Sequence, residues 1–253
     1  MRFQLFAARA ALAALALAVL AGIGAAAGVR LGLLSDKGGR TLKIPATALG
    51  LTALVCALLW LKSALTRNAG DGKRTGLIAL LGALVFLYCP LSYVYYGYAA
   101  LPIHDVTTDP EDPPQFVALA AIHPANSRVF DGSRKIPYKG EDVTVAYALH
   151  EKYPRLTKPH TGLLISPQKT YWRAYEVVKD LGWTIVDASE KDLRIEATDQ
   201  SLWFGRISDI VIRVRQAGTI GARIAVRAES REGDRDHGRN AARLEAFFRR
   251  FKF

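Results

Sequence analysis

Residues 209–230 read DIVIRVRQAGTIGARIAVRAES, two alternating runs on either side of a glycine turn. In the first run Ile210, Ile212 and Val214 share one side, and Val211, Arg213 and Arg215 the other. In the second, Ile224, Val226 and Ala228 alternate with Arg223, Ala225, Arg227 and Glu229. Successive side chains of a strand point to opposite faces, so a period of two marks a strand with one apolar face. With a turn at Ala217-Gly218, the stretch predicts an antiparallel hairpin. Working outward, Trp183–Asp187 and Leu193–Thr198 predict further strands, the latter with Leu193, Ile195 and Ala197 inward and Arg194, Glu196 and Thr198 outward. Ser201–Arg206 predicts a short one. Helices bracket the strands. Ser166-Pro167 supplies a hydroxyl cap and a first-turn proline, after which Tyr171, Ala174, Tyr175, Val178 and Leu181 follow helical spacing up to Gly182. Asn240–Phe251 is amphipathic, with Leu244, Phe247, Phe248 and Phe251 on its apolar side. Residues 166–253 are therefore expected to form an α+β core domain: a curved antiparallel sheet of four to five strands with two helices packed on one face, in a helix-grip-like layout.

Before this core, nine of the eleven prolines fall between Pro102 and Pro167. Residues 102–165 are read as an extended segment that wraps the domain, with one short helical piece around Gln115–Ala121. Phe116, Val117, Tyr138, Val143, Val145 and Tyr147 would be its apolar anchors.

Residues 1–101 read as a membrane region. Uncharged apolar runs occupy Ala10–Val29, Ile44–Leu61 and Thr75–Ile103. Roughly 20 helical residues cross a ~30 Å hydrocarbon core. Three transmembrane helices are expected, at about 10–29, 44–61 and 76–98. The net charge of +11 is concentrated there: residues 1–101 hold 10 Lys/Arg and 2 acids, residues 102–253 hold 24 and 21. Charge that flanks spans sets their orientation, so a nucleic-acid partner is excluded. The N-terminus and second loop carry Arg2, Arg9, Lys62, Arg67, Lys73 and Arg74, against Arg30, Lys37, Arg40 and Lys43 on the other side, where the third span is followed by the acidic Asp105, Asp109, Glu111 and Asp112. This bias places the C-terminal domain away from the cytoplasm. The first run is longer than a signal-peptide core and is expected to be retained. Both cysteines, Cys56 and Cys89, lie in spans, which excludes a disulfide framework or thiol chemistry in the domain.

Several strings in the C-terminal region, taken in order, carry a resemblance. They are Pro102-Ile103-His104-Asp105-Val106-Thr107-Thr108-Asp109-Pro110-Glu111-Asp112-Pro113-Pro114, Gly182-Trp183, Ile195-Glu196-Ala197-Thr198-Asp199, Trp203-Phe204-Gly205, Ser208 to Val214, Arg227 to Arg231 and Gly238-Arg239-Asn240-Ala241. Together they resemble the bacterial membrane-anchored members of the family catalogued as domain of unknown function 1499. Arg206 departs from the aromatic or apolar residue common in that family, and Ser208 from an acid. The resemblance implies a membrane or envelope domain and brings no activity, cofactor or catalytic residue.

Two constellations are candidate sites. His104, Asp105, Asp109 and Asp112, with Glu111, place oxygens and an imidazole close in sequence, a donor set that suits a divalent cation and, through His104, Asp105 and Asp109, a metal-dependent hydrolase. The same residues equally suit solvated side-chain turns at a membrane exit, and no EF-hand or HExxH spacing occurs. Arg213, Arg215, Arg223 and Arg227 form an arginine face suited to carboxylates or phosphates. The plainer reading of that face is a solvated outer sheet surface in which Arg and Glu pair across strands. Trp172, Trp183 and Trp203, with Phe204, suit an apolar ligand pocket between helix and sheet or, as such residues more often do, the core. The five histidines fall in expected loops, and no nucleophile elbow or phosphate-cradling glycine loop is present. No catalytic residue and no cofactor is assigned. The expected protein is a non-enzymatic, multi-pass protein of the bacterial inner membrane with a periplasmic domain that binds an envelope protein or an anionic lipid. A metal-dependent hydrolase and an accessory transporter subunit are the alternatives. Charged residues are absent from the apolar runs, which argues against an independent transporter.

Overall fold

The computed structural model describes residues 2–34, 36–67, 72–122, 129–162, 164–201 and 205–252. They form two compact units, one from the first 95 residues and one from Tyr96–Ser201 with Arg206–Phe253.

The first unit consists of α1 (Arg2–Arg30), α2 (Asp36–Arg67) and the greater part of α3 (Lys73–Ala99). Phe3–Arg30, Ile44–Thr66 and Lys73–Ala99 are each long and apolar enough to cross a membrane. Small residues make the helix contacts: Ala8, Ala11, Ala53, Ala57, Ala79 and Ala83 are fully buried. Gly76 lies so close to the Trp60 indole that a Cβ would come within 2.2 Å of it. Larger apolar side chains such as Leu20, Leu81 and Val85 face outward. Small residues inside and large apolar ones outside is the pattern of helices packed in lipid.

In the second unit the chain forms β1 (Asp105–Thr107), α4 (Ala118–Ile122), the hairpin β2 (Lys135–Tyr138) and β3 (Glu141–Thr144), α5 (Val145–Lys152), α6 (Pro154–Thr157) and β4 (His160–Gly162). Then come α7 (Pro167–Asp180), β5 (Thr184–Ser189), β6 (Arg194–Gln200), β7 (Ile207–Ala217), β8 (Gly221–Ser230) and α8 (Arg239–Arg250). The main sheet is antiparallel with order β1-β8-β7-β6-β5, and β4 also pairs with β8. The α+β architecture expected from the alternation is present. The wrapping segment is richer than its prolines suggested: it gives two short strands to the outer edge of β8, at residues 227–229 and 222–224, as well as a hairpin and helices. The short strand expected at Ser201–Arg206 falls largely on 202–204, outside the described residues.

Helices α7 and α8 cover one face of the sheet. Tyr171, Ala174 and Val178 of α7 and Leu244 and Phe247 of α8 share a core with Ile195, Ile210, Ile212, Ile224 and Val226. Ser166 caps α7 through its hydroxyl, which accepts from Lys169 N. At its other end Gly182, at φ 72°, allows Gly182 N and Trp183 N to donate to the Lys179 and Val178 carbonyls. His150 and His160 lie in α5 and β4 rather than in loops.

Candidate functional site

The other face of the sheet carries the arginines, and it is covered. After β1 pairs with residues 227–229, the chain runs along β8 toward the β7–β8 turn: Thr108 N donates to the Val226 carbonyl and Val226 N to Thr108 Oγ1. It then crosses the sheet as a strap, where Phe116 and Leu119 pack on Val211. Residues expected to face water are therefore enclosed. Glu196 and Val211 are fully buried, as is Arg227. This corrects the outward, solvated reading of Arg194, Glu196 and their neighbours. The physical reason is that an acidic, proline-rich strap returns to cover them.

The two candidate clusters are brought onto each other. Arg227 Nε donates to Asp105 Oδ1 and Oδ2 at 3.0 and 3.2 Å, and Nη2 to Asp105 Oδ2 at 2.8 Å and Glu229 Oε2 at 3.1 Å. Its guanidinium also stacks over the Phe116 ring, 5.1 Å from the centroid. Arg223 meets Asp109 at 2.9 Å. Arg213 holds Asp112 through Nη1 and Nη2 at 3.2 and 3.0 Å and also reaches the Asp112 carbonyl. Arg215 bonds the same Asp112 carboxylate. Side-chain exposure rises along the row, from 0% at Arg227 through 16% at Arg213 to 43% at Arg223 and 56% at Arg215. At the exposed end three guanidiniums, of Arg213, Arg215 and Arg223, face the carboxylates of Asp109 and Asp112, and Glu111 also lies within the influence of Arg223.

Glu196 fixes the strap from below, a role the sequence analysis missed. Its Oε1 accepts from Val117 N (2.7 Å) and Ala118 N (3.2 Å), its Oε2 from Leu119 N (2.8 Å), while Arg194 Nε lies 3.0 Å away. A buried carboxylate is tolerable because charge-assisted bonds replace its water. An acid flanked by apolar residues on an otherwise ordinary strand was the available signal.

Near the start of the strap, burial pushes the Asp105 carboxyl up to about 6, against the pull of Arg227. The hydrogen bond to Glu229 raises His104, against the effect of burial. Burial lowers the Arg213 guanidinium, with Arg215 beside it acting in the same sense. Glu111 turns away to His150, at 2.7 Å, which lowers its carboxyl. His104, Asp105 and Asp109 are thus directed to separate partners: Glu229, Arg227 and Arg223. Among the described residues no three His, Cys, Asp or Glu side chains are grouped to hold a metal ion. This arrangement neutralises charge and fixes a strap; it does not gather acids around an open cleft.

A family model described as a protein of unknown function, DUF1499, matches residues 105–251, from the first strand of this network to the end of α8. No curated protein and no solved structure matches the chain.

Proposed function

We propose that this chain, which belongs to the DUF1499 family of proteins of unknown function, is a non-enzymatic, membrane-integral interaction protein whose C-terminal domain binds an acidic partner protein through the exposed arginine rim. The observation that carries this reading is the gradient along the arginine row. Arg227 is enclosed and fully engaged, whereas Arg215 and Arg223 remain open to solvent. Exposed guanidiniums on a rigid strand pair can take carboxylates bidentately. The rim also lies far from the exit of the third span. Ser230 N donates to the His104 carbonyl, and Arg223 lies seven positions along β8 from Ser230. At roughly 3.3 Å per residue that is about 23 Å.

We place the domain on the non-cytoplasmic side of a bacterial inner membrane. Six basic residues on the N-terminal side against four across the membrane support that orientation, as does the acidic stretch after the third span. A C-terminal alkaline phosphatase fusion is expected to be active; a well-expressed but inactive fusion would refute the orientation. For the interaction, a photo-crosslinking residue at Thr219, in the β7–β8 turn, is expected to give a discrete adduct in living cells. The adduct should disappear in Arg215→Glu/Arg223→Glu and persist in Arg249→Glu. An adduct insensitive to the rim reversals would refute the reading.

A further inference from the structure

A second cationic cluster lies at the opposite end of β7 and β8, beside the point where the chain leaves its third span. The last turn of α3 packs on the loop before α8: a Cβ on Gly97 would lie 2.5 Å from His237 Nδ1, and one on Gly238 3.1 Å from the Ala100 Cβ. Asp236 N donates to the Ile103 carbonyl at 3.0 Å, tying the same loop to the chain just beyond the span. Around this loop a cavity is lined by Arg206, Arg235, Arg239 and Arg243, with the hydroxyl residues Ser208 and Ser230. Two acids share it. Asp236 is committed to the helix end, accepting from Gly238 N at 2.8 Å and Asn240 N at 2.6 Å, and Glu232 is exposed. Four arginines thus line the cavity with these two acids, and a third carboxylate, of Asp199, holds Arg243.

Arg239 and Arg243 also border an open groove whose remaining walls are mostly apolar: Leu181, Trp183, Ala242 and Ala246, with Asp199 held by Arg243. A cationic cavity and an apolar groove thus meet at two shared arginines, which is the complement of an amphiphile with an anionic head. Arg235 is exposed in the loop and Arg239 opens α8, while Arg243 is oriented by Asp199 and by Asn240 Oδ1 at 2.9 Å.

We propose that this cluster binds the headgroup of an anionic phospholipid, with the phosphate at Arg235, Arg239 and Arg243 and the glycerol and upper chains along Leu181, Trp183 and Ala246. Arginine matches phosphate geometry. The proposal is independent of the distal rim, which uses none of these residues.

The test is native mass spectrometry of the full-length protein in neutral detergent, titrated with short-chain phosphatidylglycerol, with phosphatidylcholine of the same chains, and with inorganic phosphate. Phosphatidylglycerol is expected to bind about tenfold more tightly than phosphatidylcholine, a difference of ~1.4 kcal/mol. Arg235→Glu/Arg239→Gln should abolish that preference, and the distal Arg215→Gln should leave it unchanged. Arg235→Glu alone, at an exposed loop position, should reduce it without disturbing the fold. Ala242→Glu, which puts a charge in the groove, should weaken phosphatidylglycerol binding. Equal binding of the two lipids, or a preference that survives the paired arginine variant, would overturn the proposal. Phosphate that competes as well as phosphatidylglycerol, with Ala242→Glu silent, would mark a free-anion site and overturn the lipid assignment.

Discussion

The two faces of the sheet are both buried, but by different chemistry. One is covered by α7 and α8 through Tyr171, Val178, Leu244 and Phe247, and needs no charge. The other is covered by a strap held through Arg227, Arg223, Arg213 and Glu196, with Phe116 and Leu119 as its large apolar contacts on Val211 among the described residues. Apolar burial is non-directional and grows with area. Buried charge must instead be matched atom by atom, because an unmatched partner keeps the full cost of desolvation. The helix face should therefore tolerate repacking, whereas the strap face should fail on single substitutions and respond to pH.

The largest effect is expected at Arg227. Arg227→Ala would leave Asp105 and Glu229 without their shared cation and remove the ring contact with Phe116. A loss of ~3–5 kcal/mol follows for a broken buried pair. On the helix face Leu244→Met, close in volume, should cost less than about 1.5 kcal/mol. Denaturant unfolding of the domain in the full-length protein, followed by near-ultraviolet dichroism, measures both. Similar costs for the two changes would erase the distinction between the faces.

Glu196→Ala comes next. It strands the amides of Val117, Ala118 and Leu119, and each stranded buried donor costs roughly 1–3 kcal/mol if water does not replace the carboxylate. Hydrogen exchange should then show faster exchange at those three amides, while protection in α7 is unchanged. Uniform loss of protection would mean that strap and sheet unfold together.

Much of the helix face was legible in the sequence, because its signals are local. Ser166, Gly182 and the alternation of Ile210, Ile212 and Val214 each act within a few residues. The strap face was not legible, because its partners are far apart: Asp112 and Arg213 are separated by 101 positions, Asp105 and Arg227 by 122. Each half alone looks like solvated charge, and only the chain's return across the sheet makes them one network. The prolines hid β1, β4 and α5 for a related reason. Short elements that depend on a neighbour for their hydrogen bonds, as β1 and β4 depend on β8, carry little pattern of their own.

A smaller effect concerns pH. The folded-state pKa values of Asp105 and His104 are both raised, so the folded domain holds their protons more tightly than the unfolded chain. The contribution of Asp105 is complete below 3.8 and is lost as pH rises through about 6; that of His104 is complete below 6.5 and is lost above it. Both act in one direction, and this cluster should weaken the domain as pH rises from about 5 to 8. Melting temperatures across that range should fall less steeply in His104→Gln than in the unaltered chain. An unchanged slope would mean that His104 does not couple to Glu229.

The smallest effect should lie at the rim, where the strap face reaches water. Asp112 joins Arg213 and Arg215, yet Asp112 and Arg215 are each more than half exposed. Exposed pairs contribute about 0.2–1 kcal/mol, because water screens the attraction and two mobile side chains must be held still. A double-mutant cycle between Asp112→Asn and Arg215→Gln is expected to give a coupling in that range, falling further at 1 M salt, where the screening length is about 3 Å. A coupling near that of the Arg227 pair would place the rim in the structural network, and Arg215 would then have no charge to offer a partner. A weak, salt-sensitive coupling leaves the arginine held in place yet exchangeable, which is the state that binding an acidic segment requires.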